Sequence, residues 1–310
     1  MVTLPGMVAA LLALQLALAP AAAVTVTAHP PVEHLQAALQ ATAPTMYAEV
    51  NEQLGAAPLD QVTVDLTATL KDAEQDLHWR LPSWAAGAAR SHDGEILLTV
   101  HHEGQRHDIE RVLRHELAHV AIASAAGGAD VPRWFNEGLA RYLAREQSAA
   151  DAQQLAAARL AGRLPSLEGL TRSFPPGADD ASLAYATSAR AIELIVERGG
   201  ASAPADVLHA LARGEHFDDA LQEAAGVPTW QLSLRVRDAI ALWPAALTVL
   251  KDAGGPLAFA GLLAFVGYGR LRRRRREQLE ALGARDEAEA RWPRVFQWTV
   301  RPLLVRRTVH

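Results

Sequence analysis

The chain contains no cysteine and only two lysines, Lys71 and Lys251, among its 310 residues. Without cysteine there is no disulfide, no thiolate metal ligand and no cysteine nucleophile, so any metal must be bound by histidine and carboxylate side chains. The net charge of −5 gives no basic excess, and we therefore expect no nucleic-acid partner. Half of the residues are apolar, which excludes a chain that is disordered throughout.

Charge is distributed unevenly along the chain. Residues 270–310 carry 12 arginines and five acidic residues, a net charge of +7, whereas the preceding 269 residues carry −12. This asymmetry predicts that the two parts lie in different environments.

Residues 1–23 have the character of a secretory signal peptide. An apolar stretch at 7–24 is interrupted by Gln15 and Pro20 and ends in small residues, which is typical of a signal cleaved near Ala23. No Lys or Arg precedes it, so an uncleaved amino-terminal anchor also fits.

Residues 253–269 are uncharged and mostly apolar. As a helix they would span about 26 Å, slightly less than a hydrocarbon core of about 30 Å. Six arginines follow, at 270 and 272–276, in the pattern that stops translocation and marks the cytoplasmic side. We therefore predict a transmembrane helix at 253–269, although a buried Gly-rich helix beside a solvated basic face is the alternative.

Together these segments predict a protein that crosses the cell membrane once. An acidic domain at 24–242 would lie outside the cytoplasm, and a basic tail at 270–310 inside it. Apolar residues and tryptophans are interleaved with the tail arginines, so the tail can lie on an anionic lipid surface or simply fix the topology.

The pattern within 24–242 predicts an α+β domain in which a small sheet is followed by a mostly helical part. Strands are predicted at 61–67 and 95–100. Helices are predicted at 31–54, 106–125, 133–147, 151–162, 181–198, 204–213, 217–225 and 228–241.

The helix predicted at 106–125 contains a His-Glu-x-x-His motif. The four-residue spacing of His115 and His119 puts both imidazoles on one helical face, where they can bind one metal ion. Glu116 follows the first histidine, so its carboxylate can lie beside the metal and accept a proton from water.

A third ligand is available in the next predicted helix. Glu137 lies within Trp134–Ala140, and this helix can lean across the first. Two histidines and one glutamate leave a fourth zinc position for water, which is the arrangement of catalytic rather than structural zinc sites.

The blocks around these residues, RVLRHELAHV and PRWFNEGLARYL, resemble the gluzincin metallopeptidases, and specifically the bacterial peptidase MA-like domain. Later blocks at 183–200 and 216–221 are also similar, so the likeness covers roughly residues 95–240. The resemblance implies that His115, His119 and Glu137 bind one Zn²⁺ per chain, and that the substrate is a peptide or protein.

The resemblance also implies the catalytic roles. Glu116 would be the general base that takes a proton from the zinc-activated water and returns it to the leaving amine. Tyr185 lies where the similar helix carries a tyrosine, so it is a candidate oxyanion donor, with a packed aromatic as the alternative. The strand at 95–100 would be the edge strand along which the substrate pairs.

Two features depart from the pattern of similar enzymes. Where gluzincins often have an Asp that orients a ligand histidine, this chain has Arg141, so Asn136 or a backbone carbonyl is a candidate orienting group. The Gly-x-Met-Glu-Asn element of related aminopeptidases is absent, which favours an endopeptidase. His101, His102 and His107 fit a solvated turn better than a second metal site.

The leading hypothesis is therefore a membrane-anchored zinc peptidase acting outside the cytoplasm. The alternative is a non-catalytic module of the same fold that binds envelope proteins and keeps metal for stability. A structural metal site has no need of Glu116, which favours the enzyme.

Overall fold

The computed structural model describes residues 23–76, 86–102, 105–106, 108–175 and 178–243, together with 261, 264–265, 267–270 and 272. The chain divides into two units, Met1–Ala245 and Ala246–His310. The predicted signal peptide and the basic tail lie almost wholly outside the described residues, and so does most of the apolar segment 253–269. No helix within the described part is long and apolar enough to span a membrane.

The first unit contains a four-stranded sheet. Its strands are β1 (Ala23–Ala28), β2 (Gln61–Thr67), β3 (Gly87–Arg90) and β4 (Glu95–Thr99). Their order across the sheet is β1-β2-β4-β3, in which β1, β2 and β4 are parallel and β3 runs antiparallel to β4. A short hairpin of β5 (His101–His102) and β6 (Gln105–Arg106) follows.

Helices make up most of the remaining described structure. The helices are α1 (Gln36–Leu54), α2 (Leu70–Asp76), α3 (Ile109–Ala125), α4 (Arg133–Leu143), α5 (Ala149–Leu160), α6 (Leu167–Arg172), α7 (Ala178–Gly199), α8 (Ala203–Ala212), α9 (Phe217–Ala225) and α10 (Thr229–Ala239). A small sheet with a mostly helical body confirms the predicted α+β class.

Strand β4 lies inside the sheet, so the prediction that residues 95–100 form its edge is wrong. Ile96 and Leu98 belong to the main core, whereas Leu97 packs on the other face against Ala73 of α2. Burial on both faces explains the continuous apolar sequence, because interior strands lack polar alternation. Within the described residues the sheet ends instead at β3, which the sequence patterns did not predict.

The opposite edge of the sheet, β1, is covered by glutamine side chains from α1. The amide of Gln40 accepts a hydrogen bond from Val26 N and donates one to Val24 O, each at 2.7 Å. Gln36 Oε1 accepts from Ala28 N at 3.1 Å. These amides occupy backbone groups that a further strand would otherwise use.

Two helix ends differ from the predictions in ways that affect the site. Helix α3 begins at Ile109 rather than 106, because the Asp108 side chain accepts a hydrogen bond from Arg111 N and caps the helix. Helix α4 ends at Leu143 rather than 147. Arg145 adopts a left-handed φ of 56°, which stops the helix and turns the chain back.

Candidate metal centre and active site

Helix α3 holds His115 and His119 on one face. Their Nε2 atoms are 3.1 Å apart, and the rings meet edge to face with centroids separated by 4.8 Å. The opposite side of the helix is anchored in the core by Leu113, Leu117 and Val120, all fully buried. The helix is therefore fixed in rotation, and both imidazoles face the same point.

Helix α4 brings Glu137 to that point. Its Oε2 lies 3.8 Å from His115 Nε2 and 3.5 Å from His119 Nε2, whereas Oε1 accepts a hydrogen bond from Arg133 Nε at 3.3 Å. Close contact with α7 sets the position of the helix. A side chain at Gly138 would lie 2.5 Å from Ser188 O, so only glycine permits this approach.

The separations fit a metal ion. Zinc bonds of 2.0–2.1 Å place the ligand atoms of a tetrahedral site about 3.3 Å apart. The three observed separations, 3.1, 3.5 and 3.8 Å, bracket that value. Within the described residues, His115, His119 and Glu137 are the only group of three or more such side chains that converges in this way.

The Nδ1 atom of each histidine also contacts a protein oxygen. His119 Nδ1 lies 2.6 Å from Asn136 Oδ1, and His115 Nδ1 lies 3.2 Å from Glu146 Oε2. The two Nδ1 atoms thus contact protein oxygens, which leaves both Nε2 atoms for a metal. Asn136 was a candidate orienting group from the sequence, whereas Glu146 was not identified.

The ionisable side chains of this group shift one another's pKa values. Burial lowers the pKa of His115, but hydrogen bonds to Glu137 and Glu146 outweigh it and raise that pKa to about 10. The pKa of His119 is also raised, since Glu137 outweighs burial. Glu137 has a lowered pKa because its bonds to both histidines overcome the opposing effect of burial. The metal-free site is therefore an ion-paired cluster.

Glu116 lies next to the cluster with only 6% of its surface exposed. Burial raises the pKa of its carboxyl group above the ordinary value, and the neighbouring His115 and His119 partly offset this. A carboxylate with a raised pKa is better suited to accept and return a proton near neutral pH.

The cluster opens into a cleft of about 530 Å³. Strand β3 forms one wall through Gly87, Ala88 and Ala89. Another wall carries Tyr185, whose ring packs 5.1 Å from that of Phe174. Burial, and secondarily the charge of Glu137, raises the pKa of Tyr185, so its hydroxyl keeps its proton and can donate a hydrogen bond.

The five residues to which the sequence assigned a metal-binding or catalytic role therefore all line one cleft. They are His115, Glu116, His119, Glu137 and Tyr185. The side chains of His101 and His102, and the whole of His107, lie outside the described residues. Sequence reasoning missed the wall of β3 and Glu146, and the only signal for the latter was the presence of Arg141 where an acidic residue was expected.

Comparison with known proteins agrees with this arrangement. Residues 42–241, about two thirds of the chain, match the profile of the Peptidase MA superfamily, and the match includes helices α3 and α4, which carry His115, His119 and Glu137. A search of curated proteins finds no match. The superfamily match and the cluster of two histidines and a glutamate support a metal-dependent peptidase activity, and the chain belongs to the Peptidase MA superfamily.

Proposed function

We propose that this protein is a membrane-anchored, zinc-dependent peptidase of the gluzincin type whose catalytic domain acts outside the cytoplasm. The observation that carries the proposal is the position of Glu116. Its buried carboxylate lies beside the three convergent ligand atoms and on the wall of an open cleft. Holding a metal requires only the other three side chains, whereas activating water requires a base of this kind.

His115, His119 and Glu137 would hold the metal, which when bound acts as a Lewis acid on water and on the substrate carbonyl. Glu116 takes a proton from the attacking water and delivers it to the leaving amine. Tyr185 donates a hydrogen bond to the oxyanion that forms on the carbonyl oxygen, a role that suits a phenol that remains protonated.

Substrate binding is assigned to β3. This strand ends the described sheet, lines the cleft and lies beside Glu116. An extended peptide can add to such an edge through main-chain hydrogen bonds, which fixes its direction with little dependence on its side chains. A peptide bound along β3 would present its scissile bond to the proposed metal site.

An endopeptidase is favoured because the chain lacks the Gly-x-Met-Glu-Asn element with which related aminopeptidases bind a free amino terminus. No specific side chain for a substrate terminus is therefore assigned. The cleft walls at Ala88 and Ala89 are small and apolar, which leaves room for residues on either side of the cleaved bond.

The membrane arrangement rests on the sequence. Residues 1–23 would be removed as a signal peptide, 253–269 would cross the membrane, and the basic tail at 270–310 would remain in the cytoplasm. Protease added to cells from which any outer membrane has been removed should degrade 24–242 and leave the tail protected. Recovery of the protein in the soluble fraction, or a protected catalytic domain, would contradict this topology.

Peptide cleavage tests the function. The full-length chain and its Glu116→Gln variant are incubated with a mixed peptide library, and products are read by mass spectrometry. Both proteins should bind one zinc per chain, but cuts made by the parent should disappear in the variant and with a chelator. The matched control is Glu193→Gln on α7, which neutralises an ion-paired carboxylate outside the cleft lining.

A zinc-loaded parent that makes no cuts would instead favour the alternative function. The protein would then be a metal-stabilised, non-catalytic module that binds envelope proteins, and Glu116→Gln would leave its metal binding unchanged.

A further inference from the structure

The loop that joins α4 to α5 places an acidic side chain against the cluster of His115, His119 and Glu137. Glu146 lies three residues beyond the end of α4, and its Oε2 is 3.2 Å from His115 Nδ1. The same oxygen accepts a hydrogen bond from Arg141 Nε at 3.3 Å. Both side chains are largely buried, with 19% of Glu146 and 14% of Arg141 exposed. The contact is therefore shielded from water, unlike a surface ion pair.

The backbone turn that positions Glu146 is well defined. Glu146 N donates to Arg141 O at 3.0 Å and Arg145 N donates to Tyr142 O at 3.1 Å. These two bonds, with Arg145 in the left-handed region at φ 56°, form the usual turn that terminates a helix, although glycine is the usual residue there. The turn folds residue 146 back over the last turn of α4, toward α3.

Arg141 stabilises this turn through several hydrogen bonds. Its Nη2 donates to Glu146 O at 3.2 Å and to the Asp151 carboxylate at 3.2 Å. Asp151 in turn accepts from Ser148 N at 2.8 Å, within the cap that begins α5. The guanidinium thus connects the side chain and main chain of Glu146 to the next helix.

We propose that Glu146 is the positioning residue for His115, and that Arg141 holds it there. The inference rests on the proposed metallopeptidase function and explains how His115, the first proposed zinc ligand, is oriented. An ionised carboxylate accepts the Nδ1 proton, so it fixes the tautomer, stops the ring from rotating and makes Nε2 a better ligand. Arg141, which cannot perform this task itself, supplies the countercharge that keeps Glu146 in place.

Zinc affinity tests the proposal separately from catalysis. The metal-free full-length chain is titrated with Zn²⁺ against a competing chelator, and its melting temperature is measured without metal. Removing a partner behind a metal-bound histidine typically weakens affinity by about 10–100-fold. Glu146→Ala should show a loss of this size at a temperature at which the metal-free variant is still folded, although loss of the ion pair with His115 also lowers its melting temperature.

Two further variants sharpen the test. Glu146→Gln keeps the shape and an acceptor oxygen, so it should lose less affinity than Glu146→Ala, and it remains usable if the alanine variant does not fold. Arg141→Met should also lose affinity, because the carboxylate would no longer be held. Glu193→Ala, which removes an ion-paired carboxylate that is absent from the cleft lining, should leave zinc affinity unchanged.

Unchanged zinc affinity in Glu146→Ala would overturn the proposal. A loss of affinity that disappears when only folded metal-free protein is titrated would overturn it too, since it would make Glu146 a structural residue. A parent that binds zinc but cleaves no peptide would refute the proposed function alone, because the effect of Glu146 on zinc binding would still be measurable.

Discussion

Gly87 on β3 packs so closely against Glu116 on α3 that a side chain at position 87 would crowd the carboxylate. A methyl group on the Gly87 Cα would lie 3.0 Å from Glu116 Oε1, 3.1 Å from its Cγ and 3.1 Å from Leu97 O. The strand proposed to bind the substrate thus directly limits where the proposed base can lie.

Gly87→Ala should therefore displace Glu116 without removing it. We expect peptide cleavage to fall by at least about tenfold, since small misplacements of a catalytic group are costly. Zinc content should stay at one per chain, because none of the three ligand atoms is touched. Cleavage rate and zinc content of the purified variant would be measured together, and full activity with an alanine at 87 would show that Glu116 has room to move.

Gly138→Ala should weaken both the fold and the metal site. The added methyl group would lie 2.5 Å from Ser188 O, so α4 and α7 must separate. Overpacking of this kind costs about 1–3 kcal/mol of unfolding free energy. Zinc affinity should fall as well, because Glu137 is the adjacent residue. Urea unfolding of the metal-free chain and a zinc titration would measure the two effects.

Tyr185→Phe should lower kcat while leaving KM and zinc binding nearly unchanged. The phenyl ring keeps the contact with Phe174, but the hydroxyl donor is lost. Loss of one oxyanion donor typically reduces kcat by about 10²–10³-fold. Steady-state kinetics on a peptide substrate would measure the effect, and an unchanged kcat would assign Tyr185 to packing alone.

Zinc binding should release protons and become tighter as pH rises. The pKa of His115 is about 10 in the metal-free chain, so this ligand carries a proton at neutral pH that the metal must displace. Calorimetric titrations in buffers of different ionisation enthalpy would count the protons released. A binding enthalpy that is independent of the buffer would contradict the expectation.

The same shift has a consequence for metal-free stability. Because the pKa of folded His115 lies above its ordinary value of 6.5, its charged form stabilises the fold fully below about pH 6.5. That contribution is lost as pH rises toward 10. Thermal melts of the metal-free chain over this range should show the decline, and zinc-loaded protein should show less of it.

Local patterns predicted that three side chains converge. The spacing of His115 and His119 fixes a shared helical face, and the block around Glu137 has a distinct sequence, so these candidate ligands were identified without the structure. Strand 61–67 alternates and was predicted with the observed bounds. Strand β4 was located but assigned to the edge, because an apolar run of this length does not reveal which strands flank it.

Glu146 shows what such patterns cannot predict. In a helix continuing to 147, Glu146 would lie nine residues after Glu137, rotated by about 180° to the far side of the helix. The early end of α4 at Leu143 and the left-handed Arg145 reverse that placement. No glycine marks this turn, and arginine seldom adopts a left-handed conformation, so local patterns did not predict that the helix ends here. The hydrogen bonds of Arg141 to Glu146 and Asp151 stabilise the turn instead.

The two edges of the described sheet differ, because glutamine side chains of α1 cover the edge at β1. Gln36 and Gln40 occupy backbone groups along β1, so the sheet is blocked against growth on that side. At β3 the margin borders the cleft. A further strand could pair with β1 only by displacing these amides, whereas a strand that added to β3 would lie beside Glu116.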